Sequence, residues 1–244
     1  TSGSFTVDFT TANNTAVAPG DFTASSSNIT FPGTTLSTQP ISIPIINDNF
    51  AENTETFFVN ISNPSDGSVS ITNNQGIGTI NDNDTASITI NDPVVNEGDG
   101  TATFTITLSG ANVSGGFSIP FTFANGSATD PADYIAAGAT TSPINFVGTI
   151  NETQQITIPI VDDADFEGDH DFFVNLGTAS NPLVTIADNQ GEATIEDNDA
   201  AILINDISVD EFAGTATFTV THIGPNAAGP FTVNNSTADN TATG

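Results

Sequence analysis

The side chains of this sequence that could do chemistry are carboxylates gathered in short loops. Within residues 85–199 they occur in four motifs, VNEGDG, ATDPADY, VDDADFEGD and EDND. The chain holds 29 Asp and Glu but no Lys or Arg, so its formal charge is −29. Clustered carboxylates without internal cations must stay solvated, bind protons or bind a metal ion. The residue types therefore indicate a divalent cation.

The same composition excludes several other chemistries. A chain without Lys or Arg cannot neutralise phosphates, so we expect no binding to nucleic acid or to anionic membrane surfaces. The absence of Cys removes disulfides, zinc–thiolate sites and catalytic thiols. No apolar run approaches the ~18 residues of a membrane span, so we expect no membrane insertion of this segment. We predict that it is not an enzyme.

The elements that must position the carboxylates are organised as a sequence repeat. The stretch IPIINDNFAENTETFFVNIS, from Ile43, returns from Ile158 as IPIVDDADFEGDHDFFVNLG, an offset of 158 − 43 = 115 residues. The closing motif INDND returns as IEDND at the same offset. We therefore predict a first repeat without its first strands (1–84), a complete repeat (85–199) and the N-terminal part of a third (200–244). Such a pattern is typical of a longer tandem array.

The hydrophobic pattern predicts an all-β chain. Thr, Ile, Val and Phe alternate with a period of two residues between turns rich in Gly, Asn, Asp and Pro. Seven short strands in ~115 residues suit an immunoglobulin-like sandwich of two antiparallel sheets. In the complete repeat we place these strands near 86–91, 101–109, 117–124, 142–147, 153–161, 171–177 and 190–196.

Alternation of strand direction places most acids at one end of this sandwich. If successive strands run up and down, the loops that follow strands one, three, five and seven share an end. Those loops contain Glu97, Asp99, Asp130, Asp133, Asp162, Asp163, Asp165, Glu167, Asp169, Asp197 and Asp199. The opposite end has chiefly Glu152, Asp188 and Glu192.

Calcium is the cation that such loops favour. Ca²⁺ takes six to eight oxygen ligands from flexible loops, whereas Mg²⁺ demands near-ideal octahedral geometry. Metals that prefer imidazole find only His170 and His222. The first repeat has no histidine where His170 stands, since residue 170 − 115 = 55 is Glu55, next to Thr54. We therefore expect no essential role for His170.

The ordered motifs EGD, ADY, DD…FEGD…FFV and DND resemble those of the Calx-beta domain. The resemblance covers residues 85–199, most of 1–84 and the first two strands of 200–244. It implies a calcium-binding β-sandwich of the kind found in sodium–calcium exchangers, integrin-associated proteins and arrays in bacterial surface adhesins. The ligands it implies are Glu97, Asp133, Asp163, Glu167, Asp197 and Asp199, with Asp162 and Asp165 as partners.

The other two repeats depart from this pattern. The first keeps Asp21, Asp48, Glu52, Asp82 and Asp84, but Asp162 becomes Asn47 and Asp165 becomes Phe50, so we expect weaker binding or fewer ions. The third supplies Glu211, but the sequence stops at Gly244, just where the counterpart of Asp133 is expected, so no complete third site is predicted.

The leading hypothesis is a structural function. The regular period and the acidic joints indicate a calcium-rigidified stalk segment of a large secreted or cell-surface bacterial protein, an adhesin or an extracellular filament. Its partners would be neighbouring repeats of the same chain and a glycan or protein of a host or environmental surface. The alternatives are a module that binds glycan or a partner protein through its acidic tip or a sheet face, and an appendage to a secreted hydrolase.

Overall fold

A computed structural model describes residues 3–225 and 230–238 of the chain. Residues 3–84 contain four strands, β1 (Phe5–Asn13), β2 (Ser26–Phe31), β3 (Glu55–Ser62) and β4 (Gln75–Ile80). They form one antiparallel sheet in the order β2-β1-β3-β4. The small core behind this sheet contains the buried Ala16, Phe22 and Phe57.

Residues 85–199 form a sandwich of two main sheets. The strands are β5 (Ala86–Ile90), β6 (Val94–Asn96), β7 (Thr101–Gly110), β8 (Phe117–Ile119), β9 (Phe121–Asn125), β10 (Ile144–Phe146), β11 (Thr153–Pro159), β12 (His170–Leu176), β13 (Val184–Ile186) and β14 (Gln190–Glu196). One sheet has the order β11-β7-β5-β13 and the other β6-β14-β12-β9, while β8 and β10 form a separate pair. The predicted all-β sandwich is confirmed.

The core of the sandwich follows from the alternation seen in the sequence. Along β7, Ala102, Phe104, Ile106 and Leu108 are fully buried, and the intervening threonines lie on the outer face. Burial of each large apolar side chain is worth ~1.5–3 kcal/mol, so this alternating stripe is the main source of stability. The outer face carries polar cross-strand contacts, such as Thr103 Oγ1 to Thr157 Oγ1 at 3.3 Å.

The structure differs from the predicted strands at two prolines. The first predicted strand continues past Pro93 as β6, which leaves the sheet of β5 and joins the other sheet beside β14. Proline has no N–H for a ladder hydrogen bond, so strands break or change partners there. Both β5–β13 and β6–β14 are parallel pairs, which a purely antiparallel sandwich does not contain. Pro120 similarly divides the third predicted strand into β8 and β9.

After residue 199 the strands of the described chain form a single hairpin. Strands β15 (Ala201–Ile204) and β16 (Val220–Ile223) pair antiparallel, as β5 and β7 do in the complete repeat. With no second sheet described against it, this hairpin leaves apolar side chains exposed, among them Ile204 and Phe212. Within the described residues, no helix is both long and apolar enough to cross a lipid bilayer.

Candidate metal centre

The first loop of the complete repeat buries a carboxylate. Glu97 begins the short 3₁₀ helix Glu97–Asp99, whose start is fixed by a capping box between Asn96 and Asp99. In this box, the Asn96 N–H donates to Asp99 Oδ2 at 2.9 Å. Glu97 is only 9% exposed, and its Oε1 accepts a hydrogen bond from the N–H of Asp163 at 3.3 Å. The helix cap therefore holds an acid inside the acidic end of the sandwich.

The terminal EDND motif connects two loops through backbone hydrogen bonds. Asp197 Oδ2 accepts from the N–H groups of Glu167 at 2.9 Å and Gly168 at 2.7 Å. Its other oxygen, Oδ1, accepts from the N–H of Asp199 at 2.8 Å. Asp197 thus fixes the exit of β14 against the loop that precedes β12.

One group of oxygens here has the chemistry of a cation site. Atoms of Glu97, Asp197 and Asp199 lie within 4.8 Å of one another. Asp199 Oδ2 is buried and has no hydrogen-bond partner in the part of the chain that is described. A buried oxygen without a partner is costly, and a bound cation relieves that cost. The donors are all carboxylate oxygens, so the group fits Ca²⁺.

The carboxylates of this group raise one another's pKa values. Burial raises the pKa of Glu97, and the charges of Asp163, Asp199 and Asp197 raise it further, against the hydrogen bond from Asp163. Burial and then the charges of Asp197 and Asp162 raise the pKa of Asp199. Burial would also raise the pKa of Asp197, but its three backbone hydrogen bonds outweigh it and lower that pKa.

A second group in the same repeat contains histidine. Ligand atoms of Asp133, Glu167 and His170 lie within 4.8 Å of one another. His170 Nδ1 is 3.5 Å from Asp133 Oδ1 and 3.7 Å from Glu167 Oε2. Burial and then the charges of Asp133 and Asp163 raise the pKa of Glu167. The ligand atoms of this group are one imidazole nitrogen and two carboxylate oxygens.

Aromatic packing positions this second group. The ring of Tyr134, the residue after Asp133, stacks on Phe172 of β12 with centroids 4.3 Å apart. Tyr134 donates its hydroxyl to Asn125 Oδ1 at 2.5 Å. The carboxylate of Asp133 is held from its own loop, because Oδ2 accepts from the N–H of Thr129 at 2.6 Å. The start of β12 and the Asp133 loop are thus tied together through one ring pair.

The remaining predicted ligands of the complete repeat lie in the loop that follows β11. Asp162 Oδ1 accepts from Asn198 Nδ2 at 2.9 Å, which joins this loop to the terminal motif. Asp163 Oδ1 accepts from the N–H of Asp165 at 2.8 Å and so shapes the turn. Asp165 is exposed and belongs to neither group of three. The loop therefore combines turn formation with a high density of charge.

The first repeat gathers its predicted ligands around one open cleft. The cleft has a volume of about 250 Å³ and its lining includes Asp21, Asp48, Glu52, Asp82 and Asp84. Asp82 Oδ2 accepts from the N–H of Glu52 at 2.8 Å, as Asp197 does from Glu167 in the complete repeat. Here too the terminal motif is bonded to the acidic loop.

Two of these acids form a group of three with Glu55, which was not predicted as a ligand. Ligand atoms of Asp21, Glu52 and Glu55 lie within 4.8 Å of one another. Burial and then the charges of Asp48 and Asp21 raise the pKa of Glu52. Burial and the charges of Asp21 and Glu52 raise the pKa of Glu55. This group contains carboxylates only.

Within the described residues, Glu211 of the third repeat belongs to no candidate metal site. It begins the 3₁₀ helix Glu211–Ala213, as Glu97 does in the complete repeat, but it is exposed. Asp210 Oδ1 accepts from the N–H of Phe212 at 3.3 Å and so caps this helix. Glu211 joins no group of three among the described residues.

The sequence analysis gave no ligand role to His170, for which it expected no essential role, or to Glu55, and the structure shows that the two residues occupy equivalent positions. Each is the first residue of its strand, β12 or β3. In the strand register, His170 pairs with Ile195, and Glu55 pairs with Ile80. The two pairs are related by the repeat offset of 115 residues. The offset was visible in the sequence, but only the fold shows that both side chains point toward the acidic loops.

The acidic loop of the first repeat also contacts the complete repeat. The N–H of Ala51 donates to the carbonyl oxygen of Asn112 at 2.9 Å, and the N–H of Asn112 donates to that of Asn49 at 2.9 Å. Asn112 Nδ2 donates to the same Asn49 oxygen at 3.1 Å. Ala51 is buried in the core cluster of the complete repeat. The segment between Asp48 and Glu52 is therefore part of the joint between repeats.

Comparison with known families and solved structures gives the following similarities. The family model of the Calx-beta domain matches residues 1–94, 80–200 and 201–244. A crystal structure of the apo form of the Calx CBD1 domain is 20% identical over 47% of this chain and 99% of that chain, with a TM-score of 0.42. A crystal structure of CBD12 from CALX1.2 is 20% identical over 80% of this chain and 88% of that chain, with a TM-score of 0.40. No curated protein matches the chain.

Proposed function

The chain belongs to the Calx-beta domain family, a family of calcium-binding domains, and on this premise we propose that it is a calcium-rigidified stalk segment. The stalk would be part of a large repeat protein secreted by, or anchored on, a bacterial cell, as an adhesin or an extracellular filament. Its partners would be the neighbouring repeats of its own chain and a glycan or protein of the surface that it meets. Millimolar extracellular Ca²⁺ would suffice for sites of modest affinity.

The observation that carries this proposal is the position of the acidic loop of the first repeat. Asp48 and Glu52 line the cleft, and the three residues between them pair with Asn112 of the next repeat. Asp48 Oδ1 also accepts from the N–H of Phe50 at 3.0 Å, inside the contacting segment. A cation held by Asp48 and Glu52 would therefore fix the same backbone that forms the joint.

The terminal motifs give the proposal a second support. β4 ends at Ile80 and β5 begins at Ala86, so Asp82 and Asp84 lie in the short connection between two repeats. Asp197 and Asp199 occupy the same place before β15. With a cation bound, these carboxylates are drawn to the loops of their own repeat. Without one, like charges repel and the direction of the connection is free to vary.

The ligands of each site come from the chain itself. In the complete repeat Glu97, Asp197 and Asp199 would hold Ca²⁺, and Asp162, Asp163 and Asp165 add negative charge beside them. In the first repeat the group of Asp21, Glu52 and Glu55 would hold it, with Asp48, Asp82 and Asp84 lining the same cleft. The bound cation supplies positive charge that no side chain of the loops provides.

Spin labels on the two repeats test the proposal directly. The chain has no Cys, so Ser27→Cys and Gln155→Cys introduce two exposed labelling sites, one in each repeat. We expect pulsed electron–electron distance measurements on the 244-residue chain to give a broad distribution in chelator and a narrow one in millimolar Ca²⁺. Calorimetric titration with Ca²⁺ on the same samples reports binding separately.

One double variant removes two negative charges from the joint and leaves the strands unchanged, and a single variant at the other end of the complete repeat is its control. Asp48→Asn combined with Glu52→Gln should abolish the narrowing, whereas Asp188→Asn, at the opposite end of the complete repeat, should leave it intact. Calcium binding with an unchanged distance distribution would refute the stiffening and leave a binding module as the better description. Absence of calcium binding would refute the metal site itself.

A further inference from the structure

We propose that the sheet of the first repeat binds the hairpin β15–β16 of a second copy of this chain, so that copies join head to tail. The complete repeat is the template for this contact, because its own β5 and β7 pack against the equivalent sheet. There the ring of Phe104 on β7 meets that of Phe172 on β12 nearly at right angles, with centroids 6.0 Å apart. The contact is one of apolar packing, and it does not depend on stiffening of the joint.

The first repeat contains the two outer segments of a sheet whose inner strands are not described. In the complete repeat this sheet has the order β11-β7-β5-β13. The segments 115 residues before β11 and β13 are 38–44 and 69–71, and neither forms a strand. β11 pairs with β7, and β13 pairs with β5. A hairpin of the β5–β7 type therefore supplies the two partners that these segments need in order to become strands.

The inner face of the first sheet is incompletely covered. Val59 and Ile61 of β3 are half-buried, whereas their counterparts on β12, Val174 and Leu176, are buried in the core of the complete repeat. Beside them lies a groove whose lining includes Ile29, Phe31, Val69 and Ile71. Removal of this apolar surface from water favours docking of a second apolar face.

Gly76 on β4 marks the place that an aromatic ring would fill. Its counterpart in the complete repeat, Gly191, must be glycine, because a Cβ there would lie 2.7 Å from Phe104 Cδ1. A Cβ on Gly76 would meet only the carbonyl oxygen of Val59, at 3.9 Å, among the described residues beyond its chain neighbours. The space above Gly76 is therefore open to a ring in the position of Phe104, and Phe218 is the residue of the third repeat at that position.

The hairpin of the third repeat presents the matching side chains. Phe218 is 54% exposed and Ile204 is 66% exposed, whereas their counterparts 114 residues earlier, Phe104 and Ile90, are buried. The geometry is already that of β5 and β7, since a backbone hydrogen bond of 3.2 Å joins the two halves of each hairpin at equivalent positions. The exception is His222, which replaces a buried leucine and makes the packing less complete at that end.

The occupant is a second copy because the hairpin of the same chain is tethered too far away. The four residues 197–200 join β14 to β15 and span at most ~14 Å. The first repeat is connected at Ala86, the start of β5, whereas β14 ends beside Asn96, at the other end of the sandwich. β14 alone rises ~23 Å over its seven residues. The tether is therefore shorter than the sandwich that the hairpin would have to pass.

Docking also brings an acid to the cleft of the first repeat. In the complete repeat, the 3₁₀ helix after β6 holds Glu97 within 4.8 Å of Asp197 and Asp199. The docked hairpin would bring Glu211 of the second copy to the same place beside the terminal motif of the first repeat. Repulsion among these carboxylates opposes docking unless a cation is bound, so the association is measured in Ca²⁺.

Light scattering after size-exclusion chromatography tests the contact on the 244-residue chain, in millimolar Ca²⁺ and physiological salt. We expect the mean mass to rise with protein concentration above the 25.0 kDa of one chain, because a head-to-tail contact can add further copies. Gly76→Leu fills the space for the ring, and Phe218→Asp places a charge in the buried contact, so each should weaken association by ~10-fold or more. Thr221→Asp, with the same charge on the outer face of β16, should leave association unchanged.

Mixing the two variants distinguishes this contact from general aggregation. The Gly76→Leu chain keeps its hairpin and the Phe218→Asp chain keeps its open sheet, so the mixture should form a species of twice the 25.0 kDa of one chain and nothing larger. A wild-type chain that keeps the mass of one chain at all concentrations overturns the proposal. Association that survives either variant, or a mixture that stays monomeric, also overturns it. Mass is measured apart from the label distances, so failure of this proposal and failure of the stiffening are recognised separately.

Discussion

Asn112 donates two hydrogen bonds to one oxygen, the carbonyl oxygen of Asn49, from its backbone N–H at 2.9 Å and from Nδ2 at 3.1 Å. The two residues belong to different repeats, and Asn49 lies inside the acidic loop of the first. The third repeat also has an asparagine at the matching position, Asn226, which is 114 residues further on and lies outside the described residues. Asn112 therefore connects the acidic loop of the first repeat to the complete repeat by direct hydrogen bonds.

Asn112→Ala should loosen this joint. The variant loses the Nδ2 bond to Asn49 and also the bond from the N–H of Ile150 to Asn112 Oδ1 at 2.9 Å. Each lost bond costs ~0.5–1.5 kcal/mol, so denaturant unfolding should show a modest loss of stability. Distances between labels at positions 27 and 155 should broaden even in Ca²⁺. An unchanged distribution would show that Asn112 does not hold the joint.

Asp199→Asn should change stability in opposite directions with and without metal. Burial and neighbouring acids raise the pKa of Asp199, so its ionised form destabilises the metal-free fold. The amide removes that charge, and the melting temperature in chelator should rise. Calcium affinity should fall by ~10-fold or more, because a ligand oxygen is lost. Melting curves in chelator and in Ca²⁺ measure both effects. A fall of the melting temperature in chelator would contradict the repulsion, and an unchanged calcium affinity would contradict a ligand role for Asp199.

The metal-free protein should lose stability as pH rises above the ordinary carboxyl range. The pKa values of Glu52, Glu97 and Asp199 are raised in the fold, so the folded chain holds these protons more tightly than the unfolded chain. Their contribution is complete below the unfolded values of 4.5 for Glu and 3.8 for Asp, and it disappears as pH passes the raised values.

Acids with lowered pKa values act in the opposite direction at lower pH. Burial would raise the pKa of Glu152, but hydrogen bonds from the N–H groups of Val147 and Gly148 and from Gln154 outweigh it and lower that pKa. The stability it contributes is present above 4.5 and is lost as pH falls through its lowered value. Chemical denaturation in chelator across this range should therefore show a maximum, and Ca²⁺ should remove the decline on its alkaline side. A free energy of unfolding that does not change with pH in chelator would contradict the repulsion between the carboxylates.

Tyr134→Phe separates packing from hydrogen bonding beside the metal groups. The first repeat already has phenylalanine at this place, Phe22, which stacks on Phe57 with centroids 4.6 Å apart. Loss of the hydroxyl bond to Asn125 should cost ~0.5–1.5 kcal/mol and leave calcium affinity unchanged. Tyr134→Ala removes the stacked ring and should cost ~3–5 kcal/mol. Equal effects of the two variants in denaturant unfolding would show that the ring stack contributes nothing.

The fold was largely predictable because its signal is local. Alternation of apolar and polar residues predicted the strands of the complete repeat except β6 and β13, since a period of two residues places one face in the core. The pattern did not reveal that the chain changes sheets at Pro93, because that choice depends on which neighbouring strand has free hydrogen-bonding groups. The ligand roles, the repeat boundaries and the stalk function stay predictions.

The sequence by itself determined the repeat, the all-β class and the collection of carboxylates in loops at one end of the sandwich. The repeat and the all-β class follow from periodicity in the sequence, and the need of the carboxylates for a cation follows from the absence of Lys and Arg. Neither property depends on which residues meet in the folded chain. Only the tertiary structure decided that Asp199 Oδ2 is buried without a partner, that His170 joins Asp133 and Glu167, and that Asn49 meets Asn112. Each of these depends on strand register and side-chain direction, which the packing of the two sheets and the contact between repeats fix together.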